Sequence, residues 1–206
     1  MRRGVFLLVL LLVACRAQPA PKGPPQLSAA DPGPVRPPGD MAYDFQWRQR
    51  VTAYWPESSR SFDAVLQKRD GELLLLGLSP MGLPGFILRL RADGDIDFDN
   101  RTQHELPFPP AFILADVQKV FFEWLPRPAP DFTGERTGTR AGLHVVEAYE
   151  QGRLLERRFA RTTSPGEVHV VYGDWRSDER AARRVQLNNG WFGYRLTIET
   201  LEQTGI

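Results

Sequence analysis

The residue types able to do covalent or metal chemistry are few in this chain and widely spaced. Its three histidines, His104, His144 and His169, form no HExxH helix and no metal-ligand spacing. Ser58, Ser59 and Ser61 fall in a stretch that reads as a turn, and no G-x-S-x-G elbow is present to present a nucleophile. Asp95, Asp97 and Asp99 alternate and could face one way toward a cation. They lack the glycine and terminal glutamate of an EF-hand loop, so a solvated strand face is expected. Gly134, Gly138 and Gly142 are spaced loosely like a phosphate loop, but no Gly-Lys-Ser/Thr follows. The expectation is a protein without catalytic residues, metal or cofactor. What remains is one thiol, Cys15, and an unusual apolar loop, Ser79-Pro80-Met81-Gly82-Leu83. With a single cysteine, disulfides are excluded. Turn tips normally carry polar residues between their kinks, so Met81 and Leu83 raise the question of what they reach for.

Cys15 is explained by what precedes it. Arg2 and Arg3 form a charged start, and Val5 to Val13 form an apolar run too short to span a bilayer. Leu12-Val13-Ala14-Cys15 resembles the bacterial lipobox. That resemblance implies a signal peptide over residues 1–14, a diacylglyceryl group on Cys15 and acylation of the new amino terminus. Several acyl chains hold a protein on a membrane far better than one does. An ordinary signal peptide with a chance cysteine is the alternative. Arg16 stands where an aspartate would resemble the inner-membrane retention signal, so the resemblance implies the outer membrane, facing the periplasm. Residues 15–40 then form the lipidated, Pro-rich tether, with eight prolines between Arg16 and Asp40. At about 3.1 Å per residue its reach approaches roughly 75 Å.

Residues 41–206 are long enough for one domain with a real core. Removing residues 1–14 leaves 24 basic against 25 acidic residues, so neither nucleic acid nor a polybasic membrane patch is indicated. Tyr43 to Trp55 alternates, with Phe45, Trp47, Val51, Ala53 and Trp55 on one face, which predicts a half-buried strand. Asp70-Gly71 and Asp93-Gly94 each sit between two strand-like runs and predict hairpins in an antiparallel meander. From Pro107 to Pro126, Ile113, Val117, Val120, Phe121 and Trp124 recur on one helical face. Pro110 suits the first turn and Pro126 a stop. Phe112, Leu114, Phe122 and Leu125 widen the apolar surface, so this helix should be enclosed or should cover something greasy. Asp116 and Gln118 within it suggest local hydrogen bonding. Residues 133–142 read as a loop, followed by strands near 143–149, 153–161 and 167–173. Residues 176–184 read as a charged excursion, and the chain closes on a hairpin turning near Asn188, Asn189 and Gly190.

The predicted fold is mainly β: a single curved antiparallel sheet of nine or ten strands forming a half-open β-barrel, with an apolar covering helix. The order of elements, with "SPMG", "LPFPP", "VVYGDW" and "VQLNNGWFGYRLTI", is similar to the LolA/LolB superfamily of periplasmic lipoprotein carriers and outer-membrane receptors. It looks closest to a LolB-related lipoprotein family found near polyene lipid genes. The resemblance implies an acyl-binding cavity, a hydrophobic ligand, a periplasmic carrier as partner and a projecting loop residue. By position that residue is Met81, with Leu83 as a second candidate. Phe45, Trp47, Trp55, Phe86, Phe112, Ile113, Phe121 and Trp124 could supply an aromatic wall; the alternative is that they fill a solid core. The reading is a non-enzymatic lipoprotein that binds or receives an acyl-chain, lipoprotein or polyene-lipid ligand. A structural lipoprotein docking a partner, or an unrecognised hydrolase, are the alternatives.

Overall fold

The computed structural model describes residues 31–41, 43–102, 108–162, 165–176 and 181–205. The signal peptide, Cys15, the first half of the tether, His104 and part of the charged excursion lie outside them. Eleven strands follow in order: β1 (Phe45–Trp55), β2 (Ser58–Arg69), β3 (Glu72–Leu78), β4 (Pro84–Leu90), β5 (Ile96–Asn100), β6 (Gly134–Arg140), β7 (Leu143–Glu150), β8 (Arg153–Arg161), β9 (Glu167–Gly173), β10 (Arg184–Asn189) and β11 (Tyr194–Gly205). One helix, α1 (Pro110–Phe121), joins β5 to β6. The strands form one antiparallel sheet in the order β5-β4-β3-β2-β1-β11-β10-β9-β8-β7-β6. β5 and β6 are its free edges, so the barrel is half open.

The period-two signal in β1 is borne out: Phe45, Trp47, Ala53 and Trp55 are all buried. Gln49 points inward with them, beside a register shift between Arg48 and Gln49 against β11, and donates to Thr200 Oγ1 at 3.3 Å. The β2–β3 hairpin turns on Asp70 and Gly71, both at positive φ (51° and 79°), the left-handed pair a two-residue turn requires.

Several expectations change. Ser58, Ser59 and Ser61 lie in β2 and not in a turn. Residues 134–140 form the edge strand β6, raising the count to eleven. This segment has no large apolar residue, so it offers no alternation to read. Asn188 and Asn189 end β10, and the final turn falls one step later, at Gly190–Gly193, closed by Gly193 N donating to Asn189 O at 2.8 Å.

The helix stops at Phe121 and not at Pro126, because Phe122 turns to an extended conformation (ψ 154°). Three of its last four carbonyls, those of Gln118, Lys119 and Val120, are nevertheless satisfied, as helix ends demand. Phe122 N and Trp124 Nε1 donate to Gln118 O at 3.0 and 2.9 Å. Arg157 Nη1 donates to Lys119 O at 2.8 Å, and the Tyr172 hydroxyl donates to Val120 O at 2.8 Å. A cation at a helix C-terminus also meets the negative end of the dipole. These bonds weld α1 to β8 and β9. Phe112, Leu114 and Val120 are buried, each contributing about 1.5–3 kcal/mol. Two core clusters form beneath the helix, one on the start of β1 with β2–β4 and one on the end of β1 with β7–β11. Ile113 and Phe121 pack against both.

Candidate functional site

Helix α1 divides the covered face of the sheet into two chambers. The first, about 290 Å³, lies between α1, β1–β4 and β11. Leu75, Phe62, Phe86, Ile113, Val117 and Phe121 give it an almost wholly apolar wall. Its shape depends on Gly77, which pairs with Phe86 across β3 and β4. A Cβ at Gly77 would stand 2.0 Å from Cε1 of Phe86, so only glycine lets that ring lie flat over the strand.

Two buried polar groups face this chamber, Gln49 and Asp116. The Tyr194 hydroxyl donates to Asp116 Oδ2, and Asn189 Nδ2 donates to the same hydroxyl at 2.9 Å. Lys119 Nζ stands 3.8 Å from Asp116 Oδ1. Burial pushes the Asp116 carboxyl and the Tyr194 hydroxyl upward and the Lys119 amine downward, and the aspartate–lysine attraction opposes both of the first and last shifts. Asp116 is therefore a tethered structural group, as its helical setting suggested.

The β3–β4 loop closes one end of the chamber. Ser79 and Pro80 line it, while Met81 and Leu83 turn outward, 85% and 61% exposed. The loop is built and self-bonded: Ser79 N donates to Leu83 O and Gly82 N to Ser79 O, both at 2.8 Å. The tip thus stays apolar and outward without folding back onto the core.

The second chamber, about 470 Å³, lies on the other side of α1, against β7–β10. Its character is mixed, with Trp47, Phe121 and Trp175 beside Arg127, Arg153, Arg157 and Arg176. Behind it lies a buried cross-strand pair: Glu147 on β7 faces Arg157 on β8, with Nε 2.7 Å from Oε1. Tyr149 donates to Glu147 Oε2 at 2.7 Å, and its hydroxyl pKa is raised by desolvation above all.

The eight expected wall residues separate accordingly. Phe86, Ile113 and Phe121 line the first chamber; Trp47 and Phe121 line the second. Phe45, Phe112 and Trp124 are packed in the core clusters and line neither, and Trp55 packs edge-on against Phe108. Among the other candidates, Asp97 lies 3.6 and 3.5 Å from Arg89 and Arg91, and Asp99 lies 2.8 Å from Arg101. No group of three metal-ligating side chains occurs among the described residues. Glu147 and Arg157 were not singled out from the sequence. Their signal is positional: each occupies an inward-facing place in a strand whose neighbours in phase, Val145 and Phe159, are buried.

The end of the Pro-rich segment also has a place. Residues 31–41, including one 3-10 turn (Pro38–Asp40), lie as a strap against α1. Gln118 holds the strap from both sides, accepting from Arg36 N at 2.8 Å and donating to Arg36 O at 2.6 Å. The Arg36 guanidinium stacks 4.8 Å from the Trp124 ring.

A family model described as a protein of unknown function, DUF3261, matches residues 46–202. The chain belongs to the DUF3261 family. Comparison with curated proteins finds no match. Among solved structures, this DUF3261 chain is similar to a domain from Vibrio parahaemolyticus assigned to outer-membrane lipoprotein sorting. The TM-score is 0.50 at 13% identity, over 81% of this chain and 88% of that one. A LolA superfamily protein from Nitrosomonas europaea aligns with TM-score 0.48 at 8% identity, over 80% and 86% of the two chains. At such identities the likeness is one of fold. The half-open barrel that the LolA/LolB resemblance implied is the fold of this DUF3261 chain.

Proposed function

We propose that the protein is a non-enzymatic lipoprotein, anchored through Cys15 on the periplasmic face of the outer membrane, that binds or receives a lipidic ligand. The ligand's acyl or polyene chain enters the apolar chamber, delivered by a periplasmic carrier or drawn from the membrane. One observation carries this reading: a chamber with an apolar wall ends at a self-bonded loop that presents Met81 and Leu83 to the outside. Apolar side chains held in solvent gain nothing from the fold itself and become favourable when they meet an acyl phase. Methionine suits varied apolar partners because its side chain is flexible and polarizable. The volume, about 290 Å³, sits at the small end of the ligand-pocket range and favours one chain over several.

The test uses the chain from residue 15 with Cys15→Ser, which keeps the strap and removes the anchor. Saturable binding of a fluorescent fatty acid is expected. The Met81→Glu/Leu83→Glu variant should retain that binding and its stability, within about 0.5 kcal/mol, while losing attachment to liposomes. Absence of saturable binding would overturn the reading in favour of a docking lipoprotein.

A further inference from the structure

The apolar chamber accounts for a chain but not for a head group, and the second chamber has the opposite chemistry. Four arginines line it, Arg127, Arg153, Arg157 and Arg176, against a single lining acid, Glu123. Glu123 is already matched to Arg127 at 2.6 Å. No carboxylate of the described wall remains to offset Arg153 and Arg176, both exposed at the rim.

Arg157 lies deeper, its side chain only 5% exposed. Its Nε is matched by Glu147, and its Nη1 serves Lys119 O and the Tyr172 hydroxyl. None of these bonds uses Nη2, so that one nitrogen of the guanidinium is left for a further acceptor at the cavity wall. A guanidinium N–H is suited to a carboxylate or phosphate oxygen. The rest of the wall is aliphatic and aromatic, with three tyrosines, and Phe121 belongs to both chambers. The two spaces are thus separated there by one side chain.

We propose that the second chamber is the head-group site for an anionic amphiphile, with a carboxylate or phosphate held by Arg153, Arg157 and Arg176. The attached chain passes Phe121 toward the apolar chamber. This rests on the reading that the apolar chamber takes a chain.

The test again uses the chain from residue 15 with Cys15→Ser. Palmitate and hexadecanol, alike in chain and different in head, compete with a fluorescent apolar probe. Palmitate should bind roughly tenfold more tightly. Arg153→Ala/Arg176→Ala, which alters only rim side chains, should abolish that preference and leave hexadecanol binding and the denaturation midpoint unchanged. Equal binding of the two by the parent chain would overturn the head-group site while leaving the apolar-chamber reading standing. A preference that survives the double substitution would also overturn it. Binding of neither would remove the chain reading and the head-group site together. Displacement of palmitate by inorganic phosphate at matched concentration would assign the arginines to a free anion, and the lipid head would fall.

Discussion

The chambers on either side of α1 share a sheet, a helix and one phenylalanine, yet they are held open in different ways. On the β1–β4 side the walls are apolar and the space depends on an absent side chain, at Gly77. On the β7–β9 side it depends on a charged pair that ties the helix end to the strands. An apolar wall tolerates loss of a contact gradually, by relaxation around a cavity. A buried ion pair fails when one partner is removed, because the other is left charged in a poor solvent. One chamber is built to yield and the other to hold.

The sharpest way to break this contrast is Arg157→Met. It strands the fully buried Glu147 and uncovers the Lys119 carbonyl, so destabilisation of about 3–5 kcal/mol is expected in chemical denaturation. Arg157→Met/Glu147→Leu should recover most of the loss, and failure to do so would show that the helix cap, not the charge, is decisive. Next in size is Gly77→Ala, which forces Phe86 off the strand at a cost of about 1–3 kcal/mol. Fatty-acid binding should fall with it, because the displaced ring enters the chamber. The smallest effect concerns the outer ion pairs of β1 and β2. Lys68 holds Asp44, and Arg50 holds Asp63, below the ordinary carboxylate value of 3.8. Their folded pKa values are depressed, so their stabilisation is present above that value and lost as pH falls through the lowered ones. A shallow drop in the denaturation midpoint is expected as pH falls below the ordinary carboxylate value of 3.8, reduced in Asp63→Asn.

The two sides were also unequally legible in sequence. The β1–β5 meander announced itself because Phe45 and Trp47 alternate with polar residues and two of its turns carry Asp-Gly, at 70–71 and 93–94. The edge strand β6 gave no such signal, since Glu135, Arg136 and Thr137 bury little. The helix was placed correctly but drawn too long: Phe122, Trp124 and Leu125 continue to bury apolar surface after the backbone has left the helix. Composition reports burial there, not conformation. The apolar loop at Met81 was visible from residue types alone. The arginine chamber was not, because Arg157 acquires its meaning from Glu147 on the neighbouring strand and from carbonyls 37 and 38 positions away.

The pairing of β1 with β11 has a consequence for handling the molecule. First and last strands lie side by side in the middle of the sheet, ten register pairs long, so they form a spine and both outer margins belong to internal hairpins. The strap at residues 31–41 runs into this spine, and the two margins hang from it like the covers of a bound book.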